Sequence, residues 1–342
     1  MRNRVEGGTE RVDLLRLVQG RLPPSWRVLG KPFVPTLTLR SPDGSLARLP
    51  VLRRKSLDPR DVLMLSRSPQ DSLAGTFVTA PFLSRRTREL LRQAGASYAD
   101  ASGNLRIVLD RPGLYVETEG AQKDPGREPR PLASLKGPAA ARVVRALCDV
   151  RPPYGVRRLA EIAKAAPSSV TRVVGLLEKE ALVTRGSRDQ IAELDWAGLI
   201  QRWAQDYQLL SSNQAVTFLA PRGLAPLTDG LRTFKGRIAV TGSLAAGRRA
   251  PVAPARIAML YVDDPSRAAR SLGLRPAEAG ANVMLLQPLD DVAFARTWME
   301  AGVTYAALSQ VAADLLTAPG RAPSEGEELL AWMKKNPNAW RT

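Results

Sequence analysis

The middle of the chain carries an apolar pattern that few folds can accommodate. Apolar side chains recur at helical spacing over residues 138–150 and again over residues 156–165, which predicts two amphipathic helices. The turn Ala166-Pro167-Ser168-Ser169 follows, and one of its serines is expected to cap a third helix whose buried face is Val170, Val173, Val174 and Leu177. Residues 181–185 and 190–194 then alternate around a polar tip, as the strands of a hairpin do. The segment predicts a helix-turn-helix followed by a hairpin.

Three stretches of this segment, Leu159–Ala163, Pro167–Arg172 and Leu177–Val183, resemble the winged helix of MarR-like bacterial regulators. The resemblance implies that the third helix enters the major groove of duplex DNA, while the hairpin, or wing, contacts the backbone or the minor groove. The residues expected at DNA are Ser168, Ser169, Thr171, Arg172 and Lys179 on the third helix, Arg157 and Arg158 on the second, and Arg185, Ser187 and Arg188 on the wing.

The local charge agrees with this expectation. Residues 136–188 carry eleven basic side chains against four acidic ones, an excess typical of a phosphate-facing surface. The alternative is a winged helix that contacts only protein, with basic residues that reflect a high-GC coding bias.

The composition narrows the chemistry further. Among 342 residues, 50 Lys and Arg face 33 Asp and Glu, and the formal charge of +17 favours a polyanionic partner. The absence of histidine excludes Ser-His-Asp and Cys-His nucleophiles and His-ligated metals, and a single cysteine, Cys148, excludes intrachain disulfides and thiolate zinc clusters. Neither a membrane span of about 18 apolar residues nor a signal core is found. We expect a cytoplasmic, nucleoid-associated protein with no cofactor and no membrane partner.

The first 120 residues predict the element order αβββαβαβ. With Ser41-Pro42-Asp43 and residues 50–55 as its motif region, this order resembles the core of restriction-endonuclease-like (PD-(D/E)xK) nucleases. Such enzymes hold a divalent cation on an Asp and a Glu and place a Lys on the attacking water or the phosphate. Here Asp43 remains, but Leu52 stands in the position of Glu and Arg54 in that of Lys. The resemblance implies a degenerate nuclease domain that still presents Arg53, Arg54 and Lys55 to DNA.

Two other interpretations of acidic residues in this domain stay open. Pro42-Asp43-Gly44 is also the sequence of a hairpin turn, in which the backbone angles select the residues. Asp100, Glu117 and Glu119 could form a shifted metal site, although residues 100–104 are equally typical of a turn between strands.

Residues 236–243 and 255–264 predict two strands, the first ending in Gly242-Ser243. The pair resembles the nucleotidyltransferase core, in which a Gly-Ser element cradles phosphates and carboxylates on neighbouring strands hold Mg²⁺. The adjacent Asp263 and Asp264 point to opposite strand faces, and no third carboxylate is placed, so the resemblance implies a domain without transferase activity. Residues 280–288, 309–316 and 319–330 further resemble AbiEi-like type IV antitoxin regulators, which join a winged helix to a domain that opposes a nucleotidyltransferase toxin.

Together these patterns predict a multidomain α/β protein. The expected parts are a nuclease-like α/β domain over residues 1–120, a linker over 121–134, a winged helix-turn-helix over 135–210 and a nucleotidyltransferase-like or antitoxin-like α/β domain over 211–342. We expect a sequence-specific double-stranded DNA-binding transcription regulator with catalytically inactive flanking domains. The alternatives are a metal-dependent nuclease using Asp100, Glu117 and Glu119, and an antitoxin with a protein partner on its C-terminal domain. A predicted helix from Trp196 to Leu210 is either domain core or the seam of a homodimer.

Overall fold

The computed structural model describes residues 14–29, 35–67, 72–122, 124–125, 134–186 and 189–342. The chain is mixed α/β and divides into two compact units, one of residues 1–130 with 179–181 and the other of residues 131–178 and 182–342. The division at residue 130 falls within the linker predicted over residues 121–134. The boundary predicted at residue 210 lies inside the second unit.

The first unit is a seven-stranded sheet in which each strand neighbours the next along the chain. Its elements are α1 (Leu14–Gln19), β1 (Arg27–Leu29), β2 (Thr36–Arg40), β3 (Leu46–Arg53), α2 (Pro59–Arg67), β4 (Phe77–Ala80), α3 (Arg85–Gln93), β5 (Ser97–Asp100), β6 (Leu105–Leu109) and β7 (Leu114–Thr118). β1 to β3 are antiparallel, β3 to β5 are parallel with α2 and α3 as crossovers, and β5 to β7 are antiparallel. The predicted order αβββαβαβ is confirmed up to β5, with residues 9–13 of the predicted first helix outside the described residues.

Apolar side chains alternate along these strands and build a cluster on each face of the sheet. Phe77 packs in one cluster with Leu37 and Leu105, while its neighbour Val78 packs in the other with Leu91. Successive side chains of a strand point to opposite faces, so both faces of β4 are covered.

A glycine closes the sheet where β7 ends. The N–H of Gly120 donates to Asn104 Oδ1 at 2.9 Å, and a Cβ at this position would lie 2.3 Å from Ser102 O and 2.6 Å from Asn104 N. Because both atoms are backbone, Gly120→Ala forces the chain apart, and we expect a loss of about 1–3 kcal/mol in the stability of this unit. Faster hydrogen exchange over residues 97–109 would report it. Gly113→Ala is the control, since its Cβ would meet nothing closer than Asp110 O at 3.8 Å; equal effects of the two changes would contradict the prediction.

The second unit begins with helices and a hairpin and continues into a second seven-stranded sheet of order β13-β10-β14-β12-β11-β16-β15, with mixed parallel and antiparallel pairs. Its first elements are α4 (Pro138–Asp149), α5 (Val156–Ala163), α6 (Pro167–Lys179), β8 (Val183–Arg185), β9 (Ile191–Leu194) and α7 (Trp196–Trp203). The sheet and its helices are β10 (Asn213–Leu219), α8 (Leu224–Arg232), β11 (Ile238–Thr241), α9 (Gly242–Ala246), β12 (Ala258–Val262), α10 (Pro265–Ser271), β13 (Arg275–Pro276), β14 (Val283–Pro288), β15 (Trp298–Glu300), β16 (Val303–Tyr305), α11 (Leu308–Thr317) and α12 (Ala322–Lys335), with 3-10 turns at Asp291–Phe294 and Pro337–Ala339.

One continuous apolar core runs through the second unit, from Leu135 ahead of α4 to Met333 in α12. The helix predicted over residues 196–210 ends at Trp203, and Leu199, Ile200 and Trp203 are all buried in this core. The apolar face of α7 therefore packs inside the unit, which removes the dimer seam that the sequence pattern left open.

A buried arginine joins α4 to the C-terminal part of this core. Arg145 is fully buried, and its Nε donates to Asp149 Oδ2 at 3.2 Å and to Ser309 Oγ at 2.8 Å. Its two terminal nitrogens donate to Val292 O, Ala295 O and Gln310 Oε1 at 3.0, 2.8 and 2.8 Å. All five N–H groups of a guanidinium need partners when buried, and here α4, α11 and residues 292–295 supply them.

Gln310 links this arginine to a second buried cluster. Its Nε2 donates to Asp314 Oδ1 at 2.8 Å, and the carboxylate of Asp314 also accepts from the hydroxyls of Tyr207, Tyr261 and Thr241 at 2.7, 2.8 and 2.5 Å. Burial raises the pKa of Asp314 and of both tyrosines. The polar chain from Arg145 to Thr241 thus crosses the predicted domain boundary and fixes α4 against β11 and β12.

Candidate nucleic-acid interface

Helix α6 carries a polar stripe on its exposed face. Ser168, Thr171, Arg172 and Lys179 are exposed, and their three- and four-residue spacing places them together. The opposite face is buried and consists of Val170, Val173, Val174 and Leu177, as predicted. Within the described ranges neither Arg172 nor Lys179 forms an ion pair, and about two helical turns, or about 10 Å, separate them. The stripe therefore presents two unneutralised cations and two hydroxyls to solvent.

The first turn of α6 differs from the prediction. The helix begins at Pro167, so Ser168 and the half-buried Ser169 lie inside the helix and neither caps it; Ala166 O accepts from Ser169 N and Val170 N at 2.9 and 3.1 Å. Proline suits this position because it lacks the N–H that would be left without a partner. The Thr171 hydroxyl donates to Pro167 O at 3.0 Å. No acidic residue stands in this turn, so the positive end of the helix dipole is not neutralised.

The hairpin extends into a small three-stranded arrangement. Val183 pairs with Leu194 in β8 and β9, and Tyr154, between α4 and α5, exchanges backbone hydrogen bonds with Ile191 at 3.3 and 3.0 Å. The observed order is therefore helix, bridge, helix, helix and hairpin. Ser187 and Arg188, the predicted contacts at the hairpin tip, lie outside the described residues.

Arg185 is engaged within the protein. Its Nε and Nη2 donate to the two carboxylate oxygens of Glu178 at 2.7 and 3.2 Å, and its Nη1 lies 2.8 Å from Asp189 Oδ2. Both partners of the Glu178 pair are largely buried, and the pairing raises the pKa of Arg185. A two-point pair of this kind fixes orientation as well as distance. The structure gives Arg185 the task of fastening β8 to the end of α6, a role that we call the clasp, in place of the phosphate contact predicted from sequence.

The remaining cations of the segment lie on or beside α5. Arg157 is exposed and forms no ion pair in the described residues, whereas Arg158 pairs with Glu161 at 3.0 Å in an exposed i,i+3 arrangement. Lys164 follows the last turn of α5 in left-handed conformation at φ 48° and is also exposed. Sequence reasoning named Arg157 and Arg158 but missed Lys164 and the clasp partner Glu178, because neither stands out by spacing alone.

Arg53, Arg54 and Lys55 belong to the first unit, where Arg53 ends β3 and the exposed Arg54 and Lys55 follow it. The predicted nuclease motif is not assembled there. Asp43 lies in the turn before β3 and accepts from Ser45 N at 3.0 Å and from the Ser41 hydroxyl, which lowers its pKa. Leu52 and Arg54 stand at the far end of the eight-residue strand, about 20 Å from this turn. The turn interpretation of Pro42-Asp43-Gly44 is the one that the structure supports.

The alternative carboxylate set is also committed elsewhere. Asp100 is buried, and its two oxygens accept from Leu83 N, Ser102 N, the Ser102 hydroxyl, Asn104 N and the Asn104 amide at 2.7–3.1 Å. Glu117 pairs with Arg92 at 2.7 Å. In the part of the chain that the structure describes, no three His, Cys, Asp or Glu side chains are grouped closely enough to hold a metal ion.

The predicted phosphate cradle and its carboxylates occupy opposite ends of two strands. Thr241 pairs with Met259 and Ile238 with Val262, so Gly242 and Asp263 extend from opposite ends of the β11–β12 pair, about 13 Å apart. Gly242 is needed for local reasons, since its φ is +64° and a Cβ would lie 2.9 Å from Met259 Sδ. Asp264 caps α10 by accepting from Arg267 N at 2.9 Å, and Asp263 lies 3.4 Å from Arg237 Nε.

Family models, curated protein sequences and solved structures were compared with this chain, and none of them matches it. Among the described residues, no helix combines the length and the apolar character that a membrane crossing requires.

Proposed function

We propose that the chain is a sequence-specific double-stranded DNA-binding protein, a transcription regulator rather than an enzyme, and that residues 138–194 are a winged helix. The observation that carries the proposal is the exposed stripe of α6, where Arg172 and Lys179 have no acidic partner in the described ranges. A helix with one apolar face fixed in a core and one face of hydroxyls and cations suits the major groove, which admits a helix and offers acceptors to arginine.

The flanking parts contribute binding or assembly in this proposal. The first unit would be a degenerate nuclease-like domain that offers Arg54 and Lys55 to phosphates, and the C-terminal part a nucleotidyltransferase-like domain of the kind joined to a winged helix in AbiEi-like regulators. The engagement of Asp100 and Glu117 in local hydrogen bonds and ion pairs disfavours a metal-dependent nuclease.

The direct test is binding of Arg172→Ala protein to duplexes selected from a random library by the unmodified chain. If Arg172 reads guanine, we expect a loss of about 1–3 kcal/mol on the selected site and a relaxed base preference at one position. Fluorescence anisotropy measured over a series of salt concentrations supplies both the affinity and its salt dependence. Unchanged affinity and unchanged selection by folded Arg172→Ala protein would overturn the proposal and favour a protein-contact module.

The clasp allows a test in which two models predict opposite signs. If Arg185 contacts phosphate, Glu178→Ala frees a cation and removes an anion, so affinity for DNA should rise. If Arg185 positions the wing, the same change detaches β8 from α6, and we expect affinity to fall about threefold to tenfold. Glu161→Ala is the matched control, since it also removes an acidic partner of an arginine but leaves the clasp intact. A rise in affinity for both variants would refute the clasp.

A further inference from the structure

A cavity of about 330 Å³ lies within the second unit, where the end of α5 meets the C-terminal part. Its walls come from Arg142 of α4, residues 162–164 at the end of α5, Arg237 ahead of β11, and residues 291–296. This volume is in the range of pockets that enclose small molecules. We propose that this cavity binds a small organic anion, a carboxylate with a compact apolar body.

Four cationic side chains converge on the cavity from four separate elements. They are Arg142, Lys164, Arg237 and Arg296, against the one lining carboxylate of Asp291. The surrounding ion pairs add Arg145 on the positive side and Asp149, Asp263 and Asp290 on the negative side. Five positive groups then stand against four negative ones, and the single positive charge left over is the complement of a monoanion.

The arginines are held in place before any ligand arrives. Arg142 donates to both oxygens of Asp290 at 2.9 and 2.6 Å, and Arg296 donates to Asp149 at 2.7 Å. Arg237 pairs with Asp291 and lies 4.0 Å above the ring of Phe294. Fixed side chains lose little conformational entropy on binding, which favours affinity.

Lys164 is the group that remains free to meet the ligand. Its side chain is exposed, and its ammonium forms no ion pair within the described residues. The apolar part of the wall, formed by Ile162, Val292 and Phe294, would receive the body of the ligand. A charged head at Lys164 and an apolar body against this wall define an amphipathic monoanion.

The position of Lys164 connects this site to the candidate DNA interface. Only Ala165 and Ala166 separate it from the start of α6, and Lys164 O accepts from Arg142 Nη1 at 3.1 Å. A ligand that holds Lys164 against the C-terminal part biases the turn that sets the direction of α6. By linkage, the factor by which the anion changes DNA affinity equals the factor by which DNA changes anion affinity. This coupling rests on the proposed function, whereas anion binding itself does not.

The test uses phenylacetate and its neutral isostere phenylacetamide as probes, titrated calorimetrically into the full chain without DNA. We expect phenylacetate to bind and phenylacetamide to bind at least about tenfold more weakly, since one ion pair in a partly enclosed site is of this order. Lys164→Gln should weaken phenylacetate about tenfold, while Asp291→Asn should tighten it by removing the lining carboxylate. Lys179→Gln, the same change away from the cavity, should leave it unchanged.

Equal binding of acid and amide, equal binding by Lys164→Gln protein, or no heat from either probe would overturn the site. The DNA arm is separate: with the selected duplex present, phenylacetate should shift affinity in unmodified protein but not in Lys164→Gln protein. Calorimetry positive without such a shift would retain the anion site and reject only its coupling to DNA. A chain that fails to bind DNA at all would refute the proposed function and leave the calorimetric result standing.

Discussion

Reversing the charge of both cations on the α6 stripe, in an Arg172→Glu/Lys179→Glu variant, is expected to reduce duplex affinity at least about 100-fold at low salt. The change removes two phosphate-facing cations and places two carboxylates against the DNA backbone, and like charges at an interface cost several kcal/mol. The slope of log affinity against log salt should also fall by about two units, one for each lost contact. Anisotropy on the selected duplex and on an unrelated one separates specific from general loss.

Net charge alone could mimic this result, because the chain carries a formal +17. The control is Lys334→Glu/Lys335→Glu, which makes the same change in charge on exposed residues of the last turn of α12. A loss confined to the α6 variant locates the interface on the stripe. Equal losses in both variants would show that DNA is held by the general field of the protein, and α6 would lose its assigned role.

Periodicity predicted the part of the molecule on which this experiment acts. The apolar positions Val170, Val173 and Val174 report only the geometry of one helix and the core beneath it, and both are local properties of the sequence. The start of α6 was misjudged by the same reasoning, since serine and proline both favour helix beginnings and the pattern cannot decide which residue comes first.

Pairings across the fold were beyond the sequence. The nuclease-like motif placed Asp43 beside Leu52 by spacing, but spacing does not reveal that β3 runs straight for eight residues between them. Arg185 looked like any exposed wing arginine until the hairpin brought it to Glu178. In both cases a long-range contact decided the role of a residue whose type suited two roles equally.

Arg145 shows the same limit most strongly, because a charged residue in an amphipathic helix is expected at the surface and this one is fully buried. Arg145→Ala should lower the free energy of unfolding of the second unit by about 3–5 kcal/mol. The substitution leaves Asp149 without its neighbouring arginine and takes the donors from two buried backbone carbonyls and from Gln310. Unpaired buried groups of this kind carry the full cost of their lost solvation.

Denaturant unfolding followed by tryptophan fluorescence would measure this loss, since Trp196, Trp203, Trp298, Trp332 and Trp340 all belong to the second unit. Arg142→Ala is the matched control: it breaks an arginine–aspartate pair on the same helix, but one that solvent reaches, so a loss of about 1 kcal/mol or less is expected. Equal losses would mean that the buried polar chain from α4 to α11 adds no more than a surface pair. A much larger loss for Arg145→Ala would mean that α4 and the C-terminal sheet unfold as one body, because the buried arginine holds the first helix of the DNA-binding segment to the sheet.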